Sequence, residues 1–338
     1  MKVSVIIPTF NCEKYIDECL KSVIAQTFDD YEIIVADNNS TDSTKNKIKN
    51  YQQKNQNIRL IELDKNYKQG IARNIAIENA NGEYILFVDG DDKAAPDFVE
   101  KMYKKISEDK TDITICNWLN FDNATGKTFK GYDGEMFDEI CKNFENRIFN
   151  WQDIKEKIYF LSRMVWNKIY KKAFLTEKNL KFPGGIFFED TVFAYDSLMK
   201  AEKISISDDI LIYYRTNNKA SVTAQRNAVF LDYLQVYAAI RENLKKQKVY
   251  ETMKYYYLDF AIYTLYMYWL QIENKYKKVY YEKMKNFFTV LENTDIKDSQ
   301  DENTINPEAL FLLKRITENN YITCVFLQLK DKLLNKVY

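Results

Sequence analysis

The sequence contains no histidine in its 338 residues. Histidine is the commonest metal ligand and the most frequent general acid or base in enzymes, so a histidine-based zinc site and a histidine base are both excluded. Any acid–base chemistry must come from Asp, Glu, Lys, Tyr or Cys side chains. The five cysteines are odd in number and include no Cys-x-x-Cys pair, which favours free thiols in a reducing cytosol over disulfides or a metal cluster.

Glycine and proline are also scarce, with 8 and 4 residues, and neither charge prevails, since 49 basic residues balance 49 acidic ones. Balanced charge gives no indication of nucleic-acid binding. Residues 1–10 lack the charged segment and cleavage site of a signal peptide, and the apolar stretch Phe260–Ile272 is too short for a bilayer. We expect a cytoplasmic protein without a nucleic-acid partner, either soluble or peripheral at the inner face of the membrane.

The first third of the chain alternates between short apolar runs and amphipathic stretches. A helix is predicted after each of the first four strands, with Asn11 as the N-cap of the first helix. This alternation predicts βαβ units, and hence an α/β domain with a mainly parallel sheet. Residues 120–185 are expected to form an insertion with an edge hairpin, loops and a helix. The predicted strands are Val3–Ile7, Tyr31–Ala36, Ile58–Leu63, 84–88 and Ile113–Cys116.

The C-terminal part has a different composition, because no glycine follows Gly185 and tyrosine is abundant. We therefore expect two domains, residues 1–225 and a helical domain of residues 226–338. One interpretation of the tyrosines is an interface with a second subunit or a membrane surface. The alternative is an ordinary helical core with tyrosine hydroxyls at its rim. The predicted helices are 226–246, 250–285, 308–317 and 320–336.

The apolar run 84–88 ends in three carboxylates, Asp89, Asp91 and Asp92, around Gly90. In open α/β sheets, ligands bind beyond the carboxyl ends of the strands. Carboxylates crowded there repel one another unless a cation lies between them, and Mg²⁺ or Mn²⁺ carrying phosphate oxygens is suited to such a position. The cluster therefore predicts a metal–nucleotide site.

Two other interpretations of this acidic cluster are an EF-hand loop and a solvated turn. An EF-hand loop is excluded because Lys93 and Ala94 stand where that loop needs a ligand and a glycine. A solvated acidic turn before the helix that starts near Pro96 remains the alternative.

The motifs of the chain, taken in order, resemble family 2 glycosyltransferases of the GT-A fold, over roughly residues 1–225. The N-terminal motifs are Ser4–Asn11, Asp37–Asp42, Ala72-Arg73-Asn74 and Asp89–Asp92. The later ones are Trp166-Asn167-Lys168, Glu189-Asp190 and Arg215 with Ser221-Val222-Thr223. The resemblance implies a GT-A nucleotide-sugar-binding domain that uses a UDP-sugar and Mn²⁺ or Mg²⁺.

The resemblance also implies roles for individual residues. Asp37 would accept the uracil N3–H, Asp89 would hold the ribose, and Asp91 would bind the metal that bridges the diphosphate, with Asp92 beside it. The whole set implied to bind the nucleotide sugar is Pro8, Thr9, Asn11, Asp37, Arg73, Asp89, Asp91, Arg215 and Ser221.

Local alternatives exist for several of these residues. The turn Pro8–Asn11 precedes a helix, and its free backbone N–H groups suit a nucleotide. Asp37 can instead belong to a helix-capping turn, and Arg73 can instead be a solvated helix arginine. Relatives often carry a histidine in the loop after Arg215, whereas this chain has none, so Lys219 is expected to supply charge there.

Glu189 and Asp190 follow two glycines and an aromatic pair. Asp190 can take the proton from an acceptor hydroxyl, because a partly desolvated carboxylate beside a second one has a raised pKa. The alternative is that Asp190 only caps the following helix. Trp166, Lys168 and Glu189 are expected to bind the acceptor, with a core position as the alternative for Trp166.

The expected function is inverting, metal-dependent transfer of a hexose or N-acetylhexosamine from a UDP-sugar to a hydroxyl. The resemblance implies a bacterial surface glycan as acceptor (capsule, lipooligosaccharide or teichoic acid), free or lipid-linked. A nucleotidylyltransferase is one alternative, although its glycine- and Lys/Arg-rich N-terminal loop is absent after Pro8. A phosphatase of the haloacid dehalogenase type would need its Asp-x-Asp after the first strand. A non-catalytic glycan-binding subunit is the remaining alternative.

Overall fold

A computed structural model of the chain describes residues 1–144, 147–218, 221–296 and 305–334. It divides into two compact units, Met1–Lys219 and Ala220–Tyr338. The sequence had suggested a division after residue 225.

The first unit is built on a single sheet with helices between the strands. Its strands are β1 (Val3–Thr9), β2 (Tyr31–Asp37), β3 (Ile58–Glu62), β4 (Tyr84–Phe87), β5 (Lys93–Ala94), β6 (Ile113–Asp122), β7 (Thr128–Phe129), β8 (Lys168–Lys171) and β9 (Ile204–Thr216). Its helices are α1 (Ile16–Ile24), α2 (Thr44–Lys54), α3 (Lys68–Asn79), α4 (Phe98–Asp109), α5 (Tyr132–Phe144), α6 (Lys172–Glu177) and α7 (Glu189–Lys200), with 3₁₀ turns at Trp151–Ile154 and Ile158–Phe160.

The sheet is mixed, with strand order β3-β2-β1-β4-β8-β6-β9-β5 and β7 beside β6. Strands β1 to β4 pair in parallel, as the alternation predicts, and β6 is parallel to β9. Strand β8 is antiparallel to both β4 and β6, which is why the sheet as a whole is not parallel. All residues of β1 and β2 are buried, as expected for strands covered on both faces. The predicted α/β fold class is confirmed.

The region 120–185 contains the predicted hairpin, between β6 and β7, and a helix, α5. Its unexpected element is β8, which enters the middle of the sheet. This strand is only four residues long, and Lys168 and Lys171 are its first and last residues. It therefore lacks the long apolar run that identifies a central strand.

The second unit is helical, as predicted. The segment 250–285 is not one helix but two, because Ile272 is extended (φ −63°, ψ 146°) and ends the first of them. A π-helical turn, Glu292–Ile296, follows the second of the two. The helices are α8 (Val222–Gln225), α9 (Asp232–Lys246), α10 (Tyr250–Gln271), α11 (Asn274–Leu291), α12 (Pro307–Thr317) and α13 (Tyr321–Leu334), with a 3₁₀ turn at Ala228–Leu231.

Most tyrosines of the second unit form its core. Tyr257, Tyr280 and Tyr281 are fully buried. The hydroxyls of Tyr257 and Tyr281 donate to backbone carbonyls of Tyr237 and Ile316, whereas the buried hydroxyl of Tyr280 has no hydrogen-bond partner in the described part of the chain. The core interpretation therefore accounts for these side chains. None of the helices in the described ranges is long and apolar enough to cross a membrane.

Candidate active site

The acidic turn Asp89–Asp92 follows β4 directly and packs against the turn after β1. A Cβ added to Gly90 would lie 3.0 Å from Cγ2 of Thr9 and 3.2 Å from Sγ of Cys12. The lack of a side chain at Gly90 thus allows the acidic turn to lie close to these two side chains.

The carboxylates of this turn are crowded together, and two of them have raised pKa values. Burial, and then the neighbouring Asp91 and Asp89, raise the pKa of Asp92 well above its usual value. Its Oδ1 accepts the N–H of Arg215 at 2.7 Å, while Oδ2 is buried and accepts no hydrogen bond from the described part of the chain. Burial and Asp89 also raise the pKa of Asp91, whose Oδ2 accepts from Nδ2 of Asn218 at 2.9 Å.

The donor set of the turn fits a hard divalent cation. Over the ranges that the structure describes, no three His, Cys, Asp or Glu side chains form a complete ligand set. Mg²⁺ and Mn²⁺ bound with a nucleotide need only one or two carboxylates, because phosphate oxygens and water supply the rest. A half-buried carboxylate, Asp91, beside an orphaned oxygen of Asp92 meets that requirement.

Arg73 of α3 joins this turn to the start of α7. Its guanidinium is 1% exposed and donates from Nη2 to Oδ1 of Asp89 and from Nη1 to Oε1 of Glu189, both at 2.7 Å. The solvated-arginine interpretation is therefore wrong. Arg73 bridges the carboxylates of Asp89 and Glu189, whereas the resemblance implied a contact with the nucleotide.

Glu189 is correspondingly not free to bind an acceptor. It is 3% exposed and paired with Arg73. Burial raises its pKa to about 7, against the opposing effect of Arg73. The predicted role of Glu189, binding the acceptor, is therefore corrected: its carboxylate forms an ion pair with Arg73 and holds that side chain in place.

Asp190 lies in the first turn of α7 but does not cap it. The N-cap is Phe188, in the left-handed conformation (φ 62°), and its ring has no oxygen to cap with. The capping interpretation is therefore wrong. Burial raises the pKa of Asp190, Arg73 opposes this, and Asp89 adds to it; Oδ1 accepts from the N–H of Thr191 at 2.9 Å. A half-buried carboxylate with a raised pKa can act as a base.

Backbone N–H groups in the turn after β1, which the sequence predicted to be free, already have hydrogen-bond partners. The N–H of Asn11 donates to Oγ of Ser40 at 3.0 Å, and that of Cys12 to Oγ1 of Thr44 at 2.9 Å. These N–H groups are thus not free for a phosphate. Asn11 is not a helix cap either, because α1 begins only at Ile16, after the cap position Tyr15.

Asp37 is fully buried at the end of β2. Its Oδ1 accepts from the hydroxyls of Ser40 and Thr9, and its Oδ2 accepts from the N–H of Ser40 at 2.8 Å. These contacts agree with the alternative interpretation, in which Asp37 belongs to a helix-capping turn. A carboxylate has about four lone-pair directions, but Asp37 is 0% exposed, so a contact with a nucleobase N–H would need the surrounding turn to open.

Arg215 is the second-last residue of β9. It packs against the acidic turn and is only 5% exposed. Its Nε donates to the carbonyl of Asp91 at 2.6 Å, Nη1 to Oδ1 of Asn123 at 2.8 Å, and Nη2 to Glu18. These contacts hold the guanidinium of Arg215 against the acidic turn, instead of leaving it free for the nucleotide-sugar contact that the resemblance implied.

The loop that follows belongs only partly to this unit. Ser221 lies in the second unit, where its hydroxyl is 2.8 Å from that of Thr223. The prediction for Lys219 falls outside the described residues.

Trp166 and Lys168 are structural residues, contrary to the predicted acceptor contacts. Trp166 is 2% exposed and stacks on Tyr214 with ring centroids 5.4 Å apart, so the core alternative is correct. Lys168 is fully buried, and its Nζ donates to the carbonyls of Ser162 and Met164, each at 2.5 Å. Burial lowers the pKa of Lys168 to about 7.

Sequence reasoning missed Asn218, the partner of Asp91. The two residues are 127 positions apart, and Asn218 stands in a polar stretch without periodicity, so no local signal identifies it. It also missed that α3 holds the segment before α7, although Asn74 was part of a recognised motif.

Comparison with known proteins identifies the family to which this chain belongs. The model of Glycosyl transferase family 2 matches residues 4–174, about half of the chain. The chain is 30% identical over 254 residues to EpsH of Bacillus subtilis, covering 73% of this chain and 71% of EpsH. It is 36% identical over 218 residues to a poly(ribitol-phosphate) beta-glucosyltransferase of Bacillus spizizenii, covering 63% of this chain and 32% of that protein.

A solved structure agrees with the fold. Residues 1–349 of Staphylococcus aureus TarS, in complex with UDP-GlcNAc, superpose with a TM-score of 0.69 at 23% identity, covering 94% of this chain and 91% of the TarS chain. This chain spans about a third of the length of the first curated relatives that it matches.

Proposed function

The chain belongs to glycosyl transferase family 2, and on that premise we propose that it transfers a hexose or N-acetylhexosamine from a UDP-sugar to a hydroxyl of a bacterial surface glycan, with inversion. The observation that carries the proposal is the set of carboxylates after β4, of which Asp92 is buried and Asp89 and Asp91 are half-buried, joined through Arg73 to the start of α7. Asp190 stands at that start, with a pKa raised by burial.

The donor side of the site is formed by the acidic turn and the turn after β1. Asp89 is held by Arg73 and would bind the ribose, while Asp37 would accept the N3–H of uracil. Asp91, with Asp92 beside it, would hold Mn²⁺ or Mg²⁺. When bound, such an ion supplies Lewis-acid neutralisation of the departing diphosphate.

Asp190 supplies the base in this proposal. Its carboxylate takes the proton of the acceptor hydroxyl while the oxygen attacks the anomeric carbon from the face opposite the diphosphate. The bond between that carbon and the diphosphate oxygen breaks, and the UDP leaves with the bonding electron pair. A single displacement of this kind inverts the anomeric configuration.

The acceptor class is proposed from the relatives. The Bacillus spizizenii protein is named as acting on poly(ribitol-phosphate), and Staphylococcus aureus TarS is named in the same way, as a beta-N-acetylglucosaminyltransferase. Both names support a teichoic-acid-like acceptor, and glucose or N-acetylglucosamine as the sugar. Capsule and lipooligosaccharide acceptors belong to the same class of surface glycan, and we propose the cytoplasm as the place of the reaction.

We expect UDP and UDP-sugars to raise the thermal unfolding temperature in the presence of Mn²⁺. A ligand that binds only the folded protein at about 100 times its Kd stabilises it by about 2.7 kcal/mol. CMP should not replace UDP, because cytosine has no N3–H for Asp37 to accept and CMP lacks the second phosphate. EDTA should remove most of the UDP effect.

Thermal shift with UDP, CMP and GDP, each with Mn²⁺ and with EDTA, checks this prediction. Greater stabilisation by GDP or CMP than by UDP would contradict the assigned uracil contact. Conversion of UTP and a sugar phosphate to a UDP-sugar would instead indicate a nucleotidylyltransferase, and binding of glycan without donor turnover would indicate a non-catalytic subunit.

A further inference from the structure

The segment Phe182–Phe188, which precedes α7 and leads to Asp190, has no regular secondary structure of its own. It contains two left-handed residues, Gly185 (φ 79°) and Phe188 (φ 62°). No strand pairing fixes its place within the described sheet. Its position must therefore come from tertiary contacts.

Helix α3 provides those contacts, and Asn74 makes the most specific of them. Its Nδ2 donates to the carbonyl of Phe182 at 2.9 Å, and its Oδ1 accepts the N–H of Phe182 at 2.9 Å. One carboxamide thus satisfies both backbone groups of one residue, as a neighbouring strand would. This geometry requires a donor and an acceptor on the same planar group, which the carboxamide of Asn supplies and an ionised carboxylate does not.

The approach of the two elements is unusually close at Gly70. A Cβ at this position would lie 2.6 Å from Cγ of Glu189 and 2.8 Å from the carbonyl of Pro183. Distances below 3.0 Å to backbone atoms require displacement of the segment. A glycine inside a helix normally costs about 0.5–1 kcal/mol relative to alanine, so its presence here is explained by the docking.

Further contacts from α3 fix the middle and the end of the segment. Nζ of Lys68 donates to the carbonyl of Gly185 at 2.8 Å and lies 4.0 Å from the ring centroid of Phe187. Arg73 binds Glu189, the residue before Asp190. The segment is therefore held at its start, its middle and its end by residues of one helix, α3.

We propose that Asn74 is a positioning residue for Asp190, and that α3 is the platform on which the base-bearing segment is docked. This inference rests on the proposed function, because it concerns where the base stands. Asn74 touches neither donor nor acceptor in this account. It acts by holding Phe182, and through it the path of the chain to α7.

The test compares Asn74→Ala and Asn74→Asp with Asn79→Ala. Asn79 is on the same helix, and its Nδ2 donates only to the carbonyl of Ile75 within that helix. The aspartate variant keeps the acceptor for the Phe182 N–H but sets a carboxylate oxygen against its carbonyl. We expect both Asn74 variants to lower kcat at least about tenfold, because displacements near 1 Å can cost a hundredfold. KM for the donor and the affinity for UDP should stay within about twofold, and Asn79→Ala should behave as the wild type.

A purely structural role predicts a different pattern: a lower unfolding temperature, with kcat per folded molecule unchanged. That result would overturn the proposal. Backbone hydrogen exchange provides a readout that does not need activity. Amides of residues 182–189 should exchange at least about tenfold faster in Asn74→Ala than in Asn79→Ala, since lost docking opens the segment locally. Equal exchange in the two variants would also overturn it.

A glycine pair tests the docking independently. Gly70→Ala should lower kcat and increase exchange over the same residues, despite the better helix propensity of alanine. Gly134→Ala in α5 is the matched control, because a Cβ there would meet only the flexible side chain of Lys130, at 3.1 Å. If the wild type showed no donor turnover at all, the proposed function would fail, whereas the exchange comparison would still decide the docking.

Discussion

Replacement of Asp190 by Asn is expected to lower the turnover number by about two to four powers of ten, the usual contribution of a general base. Affinity for the UDP-sugar and for the metal should remain near that of the wild type, because Asp190 is not among the residues assigned to the donor. Initial rates of UDP release, with separate titration of UDP, measure the two effects.

The structure makes this substitution a clean one. Oδ1 of Asp190 accepts the N–H of Thr191, and the amide oxygen of Asn can do the same. The N-cap position of α7 is Phe188, so Asp190→Asn keeps both the cap residue and the hydrogen bond to Thr191 at the start of the helix. The matched control is Asp196→Asn in the same helix, where the carboxylate pairs with Lys200 one turn later.

Full activity of Asp190→Asn with a normal unfolding temperature would contradict the assignment of the base. The next candidate would then be Glu189, whose pKa burial raises to about 7. Its pairing with Arg73 at 2.7 Å makes it a weaker candidate, because proton uptake would break that ion pair.

Replacement of Asp91 by Ala is expected to abolish metal-dependent UDP binding and to lower turnover by at least about three powers of ten. Loss of one electrostatic contact to the developing charge costs about 10²- to 10³-fold in other enzymes, and Asp91 would hold the ion that carries several such contacts. The unfolding temperature without ligands should not fall, because the substitution removes the neighbouring charge that, after burial, raises the pKa of Asp92.

Calorimetric titration of UDP with and without Mn²⁺ checks the Asp91 prediction. Asp97→Ala serves as the control, because its carboxylate forms a surface ion pair with Lys101 of the kind that contributes little. Retention of metal-dependent binding and turnover by Asp91→Ala would show that the ion is held elsewhere.

The sequence predicted the features that depend on local pattern. Apolar runs identified the strands that became β1 to β4, and the abrupt change from Val88 to Asp89 located the acidic turn. The glycine-free C-terminal part was correctly predicted to be helical. These features follow from periodicity and from residue types that change at the end of an element.

Contacts between distant segments were not predictable in the same way. Arg73 was expected to face a ligand but bridges Asp89 and Glu189, because the path of residues 182–189 over α3 leaves no periodic signal. Lys168 and Trp166 were expected at the surface of the site, yet the insertion of β8 into the sheet buries both. A motif identifies that a residue matters, whereas its partner depends on the topology.

The most direct test of the central claim is the product formed from an α-linked UDP-sugar and a poly(ribitol phosphate) acceptor by this chain in the presence of Mn²⁺. We predict one β-linked glucose or N-acetylglucosamine for each UDP released, with the anomeric configuration read by proton NMR. An α-linked product, or release of UDP without any transfer from all UDP-sugars tested, would contradict direct displacement by an acceptor hydroxyl at this site.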